Sequence, residues 1–212
     1  MEMPQSRGTP TRIQARATKI QLAREGAGFV ARTTAGTIRA GRVVVAAGAW
    51  SPRISTMLGL ALPVRGAPLQ MIVTEPAAKL VDHLVAHAGR HLSLKQVDAG
   101  GLVIGGGWTA SADMQTGLSR TRRGSIEGNL WVARRVLPAL DALHVVRIWA
   151  GMNVNIDGAP ILGETPGMPG LFHAVTSNGY TLAPVVGRLT ADLIRTGRSP
   201  RDVTPFLLSR FG

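Results

Sequence analysis

Apolar and polar positions along the chain change period several times, and each change marks an element. Residues 13–20 and 28–42 carry short alternating or β-branched stretches, separated by REGAG and TAG, and predict strands joined by hairpin turns. A compact apolar run at 43–47 ends at Gly48, the pattern of a strand buried on both faces, as in a parallel sheet. Ser51 followed by Pro52 predicts a short helix reaching about Leu58. Between residues 62 and 104 the segments LPVRGAPLQMIVTE, RHLSLKQ and GLVIGGG read as sheet strands joined by longer turns, without strand–helix alternation.

Residues 125–140 predict the next helix, with Ile126, Leu130 and Val136 or Leu137 at helical intervals. HVVRIWAGMNV is another strand, NIDGAPILGETPGMPG reads as a long loop rich in Gly and Pro, and LFHAVT is the final strand. It feeds a turn, TSNGYT, in which Asn178 and Gly179 tolerate positive φ. Thr181 is the expected cap of the helix that follows, with Pro184 in its first turn and Gly197 at its end. Leu182, Val185, Val186, Leu189 and Leu193 share one face. Uncapped amides and the helix dipole at such a start favour an anion or a polarised carbonyl, and an ordinary surface turn before a packing helix fits the same residues. The first and last portions together predict one α/β unit with an antiparallel sheet inserted between them.

Composition narrows the classes. At 212 residues and 45% hydrophobic content the chain builds one or two domains with a real core. No apolar run reaches the length of a membrane span, and MEMPQSRGTPTR lacks a secretory signal's apolar stretch, so the expectation is a soluble cytoplasmic protein. The lack of cysteine removes disulfides, thiolate metal sites and thiol nucleophiles. No metal-ligand spacing, Ser-His-Asp order or phosphate-binding lysine motif is present. A net charge of +12 raises nucleic-acid binding. Against it, the only lysines are Lys19, Lys79 and Lys95, the densest arginine group is Arg120, Arg122 and Arg123, and no aromatics are interleaved. A basic nucleic-acid-binding module without redox activity stands as the second reading, and an inactive truncated remnant as the third.

The blocks VVVAAGAWS, RIWAGMNVNIDGAPILG and LFHAVTSNGYTLAPVVGRLTADLI, in this order, resemble the FAD-dependent amine and amino-acid oxidase family. That family includes D-amino-acid oxidase, glycine oxidase, the sarcosine oxidase β subunit and the opine oxidase subunits. The similarity runs from about residue 13 to 211 and matches the C-terminal half of a typical member. The other half would carry the first strand, the G-x-G-x-x-G turn and the acidic residue for the adenosine ribose. No such turn occurs here; GLVIGGG falls in the inserted sheet. The resemblance implies an α/β fold: a partial FAD-binding, Rossmann-like domain at 1–57 and 151–212, without its first βαβ unit, and an antiparallel-sheet substrate domain at 58–150. It also implies FAD, a small-molecule amine substrate, and either a truncated reading frame or a partner chain supplying the first half. Neither a nucleic-acid partner nor a membrane span is expected on this reading.

Roles carry over residue by residue. Ala47, Gly48 and Ala49 would bring bare backbone close to FAD, Trp50 would shield it, Ala17 would offer a backbone contact to adenine, and Gly151 of the Trp-Ala-Gly block would join them. Ser177, Asn178, Gly179, Tyr180, Thr181 and Leu182 would wrap the flavin ring, with the helix start aimed at its N1 and C2 carbonyl edge. Tyr180 would lie over the ring edge, face the substrate, or simply cover the helix. Asn153 stands where amino-acid oxidases of the family commonly place a carboxylate-clamping arginine, which shifts the expectation toward opine, sarcosine or other secondary-amine substrates. Asn153, Tyr180 and His91 are the substrate candidates, and Arg147 lies nearby on its strand. His91 and His173 suit a pocket, although a lone histidine on a strand is more often a packing residue. Asp157 reads as structural. No catalytic base is assigned, because the implied reaction passes a hydride from the α-carbon of a neutral amine to flavin N5 and the imine then hydrolyses.

Overall fold

The computed structural model describes residues 20–113 and 116–212; Ala17 and all but the last residue of the strand expected at 13–20 lie outside them. Strands β1 (Ile20–Glu25), β2 (Gly28–Thr33) and β3 (Gly36–Ala40) form an antiparallel sheet. The first of them continues through Arg24 and Glu25, so the turn expected over REGAG tightens to Gly26 and Ala27. Next come β4 (Val43–Val45) and the short helix α1 (Ser51–Ser55), prolonged by a 3-10 turn at Thr56–Leu58.

The middle of the chain is antiparallel, as its pattern predicts. Strands β5 (Arg65–Pro76), β6 (Val85–Ala86), β7 (Ser93–Gln96) and β8 (Gly101–Gly105) are followed by the small ladder of β9 (Ser111–Ala112) with β10 (Ser119–Arg120). Helix α2 (Arg123–Val136) then packs on the sheet, and β11 (Val145–Asn155) completes it in the order β11-β5-β8-β7-β6. This last long strand pairs with β5 without interruption from Arg147 to Asn155, so the sheet runs past the expected division at residue 150.

Alternation in β5 explains the layering. Gln70, Ile72 and Thr74 are buried, whereas Met71 and Val73 point the other way and are only partly covered. Ile72, Leu94, Leu102 and Ile104 meet Val132 and Ala133 of α2 in one apolar cluster. Each large aliphatic side chain buried there contributes about 1.5–3 kcal/mol. Two polar groups fix the helix on the sheet: the Arg122 amide donates to Gln70 Oε1 at 2.9 Å, and Asn129 Nδ2 donates to the Gly105 carbonyl at 3.0 Å. Helix α2 stops at Val136, short of the expected residue 140, because Pro138 disfavours helical geometry at Leu137. A 3-10 turn at Pro138–Ala142 takes over.

The end of the chain holds β12 (Ile161–Glu164), β13 (Leu171–Val175) and helix α3 (Gly179–Thr196). The first of these corrects the expected loop at 155–170: Ile161, Leu162 and Gly163 are buried and pair antiparallel with β13, so a short apolar run between Gly/Pro turns suffices for a strand. The sheet order is β12-β13-β4, with β13 and β4 parallel. The predicted parallel arrangement is thus present, but β4 is three residues long and sits at the edge. Val44 is 41% exposed, so the strand is not buried on both faces.

Helix α3 begins two residues before Thr181, with Asn178 as N-cap at φ −104°, and no side chain caps it. Neither Asn178 nor Gly179 adopts positive φ. Pro184 falls inside the helix rather than in its first turn. Val186 and Thr190 are its buried residues and Val185 is exposed, which rotates the packed face slightly from the expected one. Gly197 closes the helix in the left-handed region as predicted, its amide donating to the Leu193 carbonyl.

Candidate functional site

Two segments of the resemblance leave the same end of the same pair of strands. Since Leu171 pairs with Val43 and His173 with Val45 in parallel register, both strands run in one direction. Beyond the carboxyl end of β4 comes the turn Ala47-Gly48-Ala49-Trp50, and beyond that of β13 come Thr176–Asn178 and the start of α3. In open α/β sheets the crevice outside the carboxyl ends of parallel strands is where ligands bind.

The turn itself needs its glycine. Gly48 sits at φ +55°, and a Cβ there would lie 3.5 Å from Val154 Cγ2. This contact brings β11 to the turn, with Gly151, Asn153 and Asn155 on the exposed positions of that strand. Ala49 is buried. The indole of Trp50 lies against Gly117, where a Cβ would stand 3.4 Å from the ring.

At the two other glycines of the site, nothing among the described residues calls for glycine. A Cβ on Gly179 would meet only Thr176 Cγ2, at 3.9 Å, and one on Gly151 would meet nothing within 4 Å. Neither has positive φ. Both therefore face open space in which the described residues would tolerate a side chain.

The start of α3 is equally open. Asn178 Oδ1 caps nothing, its carbonyl takes the Leu182 amide at 2.9 Å, and the amides of Gly179, Tyr180 and Thr181 have no acceptor among the described residues. Unpaired amides and the positive end of the dipole of this long helix point to a partner that carries negative charge. Tyr180 is fully exposed and Leu182 half-buried, so the tyrosine does not cover its own helix.

In the body of the sheet, His173 ties β13 to α1 and to the residue that follows β12. It is completely buried; its Nε2 is 3.0 Å from Ser55 Oγ on α1, and its Nδ1 is 2.9 Å from Thr165 Oγ1. Burial pushes its pKa down to about 4, so the ring is neutral, one nitrogen donating and the other accepting. His173 is thus a packing residue, the commoner of its two expected roles. Asp157 is structural too: Arg210 donates to it through Nε at 2.8 Å and Nη2 at 2.9 Å, and holds the carboxyl well below the usual range. His91 stands apart. It precedes β7, its carbonyl accepts the Trp108 indole N–H, and strands β8 and β5 separate it from β11. Arg147 is exposed on β11, stacked 5.7 Å from the Trp149 ring centroid.

Sequence patterns did not single out Arg65, Asn155 or Val154, which the strand pairing brings to the turn. Arg65 lies opposite Asn155, and Ala67 opposite Asn153. Among the described residues no three or more acidic, His or Cys side chains are grouped as metal ligands, and no helix is long and apolar enough to cross a membrane.

Comparison with known proteins identifies this chain's relatives. The family model "FAD dependent oxidoreductase" matches residues 2–193. Glycine oxidase of Geobacillus kaustophilus is 33% identical over 198 residues, covering 88% of this chain and 49% of that protein. Sarcosine oxidase subunit beta of Rhizobium meliloti is 31% identical over 185 residues, covering 84% and 43%. The crystal structure of the Geobacillus kaustophilus glycine oxidase superposes with a TM-score of 0.78 at 28% identity, over 91% of this chain and 52% of that one. The chain spans about half the length of the relatives it matches. With most of its length inside the family model and its fold shared with a solved relative, this chain belongs to the FAD-dependent oxidoreductase family.

Proposed function

We propose that this chain forms the flavin-facing and substrate-facing half of an FAD-dependent oxidoreductase that oxidises the C–N bond of an amine or amino-acid derivative. The observation that carries the reading is the convergence of the Gly48 turn and the open start of α3 at the carboxyl ends of β4 and β13. The residues suit the group. Among the described residues, nothing fills the room beside Gly151 and Gly179, and three amides at the α3 start lack acceptors. Ala47, Gly48 and Ala49 offer backbone on one side, and Ser177 to Leu182 on the other.

Bound FAD supplies the electron acceptor for a hydride from the carbon next to the amine nitrogen; water then converts the imine to a carbonyl compound and a free amine. This chain's part is positional and electrostatic. The α3 start presents fixed dipoles where negative charge gathers, so little reorganisation is needed as it develops. Gly179 keeps that edge accessible, and Tyr180 projects fully into the same region. Asn153, on an exposed position of β11, is the substrate-side residue on this reading.

The segment with the pyrophosphate-binding turn, on this reading, comes from outside these residues, as a continuation of the chain or a partner. Co-expression with the N-terminal half of the Geobacillus kaustophilus glycine oxidase tests it. The chain alone should purify colourless or faintly yellow, and the pair should carry flavin, seen by absorbance near 450 nm. A pair that stays colourless, or a pair with Gly179→Val that retains full flavin, refutes the proposal. Stoichiometric flavin on the chain alone refutes the need for a first half.

A further inference from the structure

Helix α2 carries a tryptophan on the side turned away from its sheet. Val132 and Ala133 face the apolar cluster, whereas Arg123, Glu127, Trp131 and Arg135 follow one another at intervals of four along the opposite side. Trp131 is 46% exposed and takes no part in the cluster that holds the helix on the sheet. Two guanidiniums lie over its ring. Arg135, one turn further along α2, stands 4.0 Å from the centroid, and Arg90, from the turn between β6 and β7, stands 5.1 Å from it. A cavity of about 340 Å3 opens beside the ring, walled by Trp131, Arg134, Arg135 and Asp141.

The charges around the ring do not cancel. Glu127 is engaged by Arg123 at 2.7 Å, and Asp141 by Arg134, so both carboxylates are taken by other arginines and the pair stacked on Trp131 stays cationic. Sharing one ring, the two cations lie within a Debye length of about 10 Å at 0.1 M salt, and their fields add. Contact with the indole also restrains each guanidinium, so less side-chain freedom is lost when it meets an anion. Tryptophan and arginine are the residue types that dominate the energy of protein interfaces. A nucleic-acid base needs a bare aromatic face, and Arg135 already sits at stacking distance from this one. A second copy would bring the same cations and its own net charge of +12. A protein surface bearing carboxylates meets neither obstacle.

We infer that the outer side of α2, centred on Trp131 with Arg90 and Arg135, is a docking surface for an acidic polypeptide. Carboxylates of the partner pair with the two stacked guanidiniums, and an apolar side chain seats in the cavity against the indole. This surface is distinct from the candidate flavin site. Ile148 of β11 packs toward α2, so Gly151 and Asn153, at odd positions of the same strand, project from the other face of the sheet. A partner on α2 therefore leaves that site accessible, and the docking surface stands whether or not the chain is an amine oxidoreductase.

The test is fluorescence anisotropy of the full chain with three labelled probes: a peptide of alternating glutamate and leucine, its glutamine counterpart, and an oligothymidylate of the same charge. The native chain is compared with Trp131→Ala, with the pair Arg90→Gln and Arg135→Gln, and with the pair Arg198→Gln and Arg201→Gln, which removes the same charge beyond α3. Thermal melting of each variant checks that it is folded. The native chain should bind the glutamate peptide about 10-fold more tightly than the glutamine one. Trp131→Ala and the Arg90 and Arg135 pair should each weaken it about 10- to 30-fold, and the Arg198 and Arg201 pair by less than about 3-fold. No preference for the glutamate peptide, or equal weakening in both arginine pairs, overturns the inference, because either outcome reports net charge alone. So does an oligothymidylate that binds more tightly than the peptide and is lost with Trp131, which would make this a nucleic-acid surface. A native dimer in light scattering that Trp131→Ala dissociates overturns it too, in favour of a second copy.

Discussion

Protonation of His173 should loosen the packing of β13 against α1, and the size of the effect follows from the structure. The ring is fully buried between Ser55 and Thr165, and its pKa falls from the ordinary 6.5 to about 4. A group depressed on folding binds more protons when unfolded, so its contribution is complete above about pH 6.5 and is lost as pH falls toward 4. At about 1.4 kcal/mol per pH unit, the interval sets a ceiling of about 3 kcal/mol, most of which is gone by pH 4.5. Losses from Asp141 and Asp202, whose carboxyls are held below their ordinary range by Arg134 and Thr204, come mainly at lower pH.

The assay is urea unfolding followed by tryptophan fluorescence at intervals from pH 7 to 4.5, on the native chain and on His173→Gln. The native chain should lose stability steadily across this window, and the variant, less stable at pH 7, should stay nearly flat. In parallel, the ring resonances of His173 should hold their neutral positions until close to pH 4. Parallel stability curves, or a ring that titrates near 6.5, would show that the imidazole is not sealed between the two hydroxyls and would refute the argument.

Other substitutions probe the rest. Gly48→Val forces a β-branched residue to φ +55° beside Val154; stability should fall by at least about 1–2 kcal/mol in urea, and the co-expressed pair should lose its flavin absorbance. Arg210→Ala removes two bonds to Asp157 and those to the Pro160 and Ala159 carbonyls, so the melting midpoint should drop by about 3–6 °C and the last residues should become protease-sensitive. Ile104→Ala empties a fully buried position under α2 and should cost about 2–5 kcal/mol by urea unfolding.

How much of this was legible in the sequence depended on distance along the chain. Local patterns were enough for α1, the antiparallel middle and the glycine stop of α3, because periodicity and turn chemistry are written within a few residues. The β12 strand was hidden by Gly and Pro on both sides of Ile161 and Leu162, and the exposure of Val44 was invisible because an edge strand and a central one share the same apolar run. The start of α3 was misplaced by three residues, since Thr181 is a good cap but the helix takes Asn178 as its N-cap instead. For the candidate site, Gly48, Asn153 and the loop before α3 were named through the family's motifs. Arg65 and Asn155 were not, because their proximity arises only from strand register. His91, by contrast, attracted notice as a residue type and was set apart by the strand order.

The position of β4 at the rim of its sheet has a practical consequence. Its outward peptide groups have no ladder partner among the described residues, and Val44 adds an apolar side chain without a lysine or proline to discourage docking. Such a border is a template for any extended segment, including the same strand of a neighbouring molecule. Concentrated stocks of the isolated chain should therefore aggregate, and dilution, low temperature or a chaperone should delay it. Solubility, measured by light scattering, thus reports whether that border has found its mate.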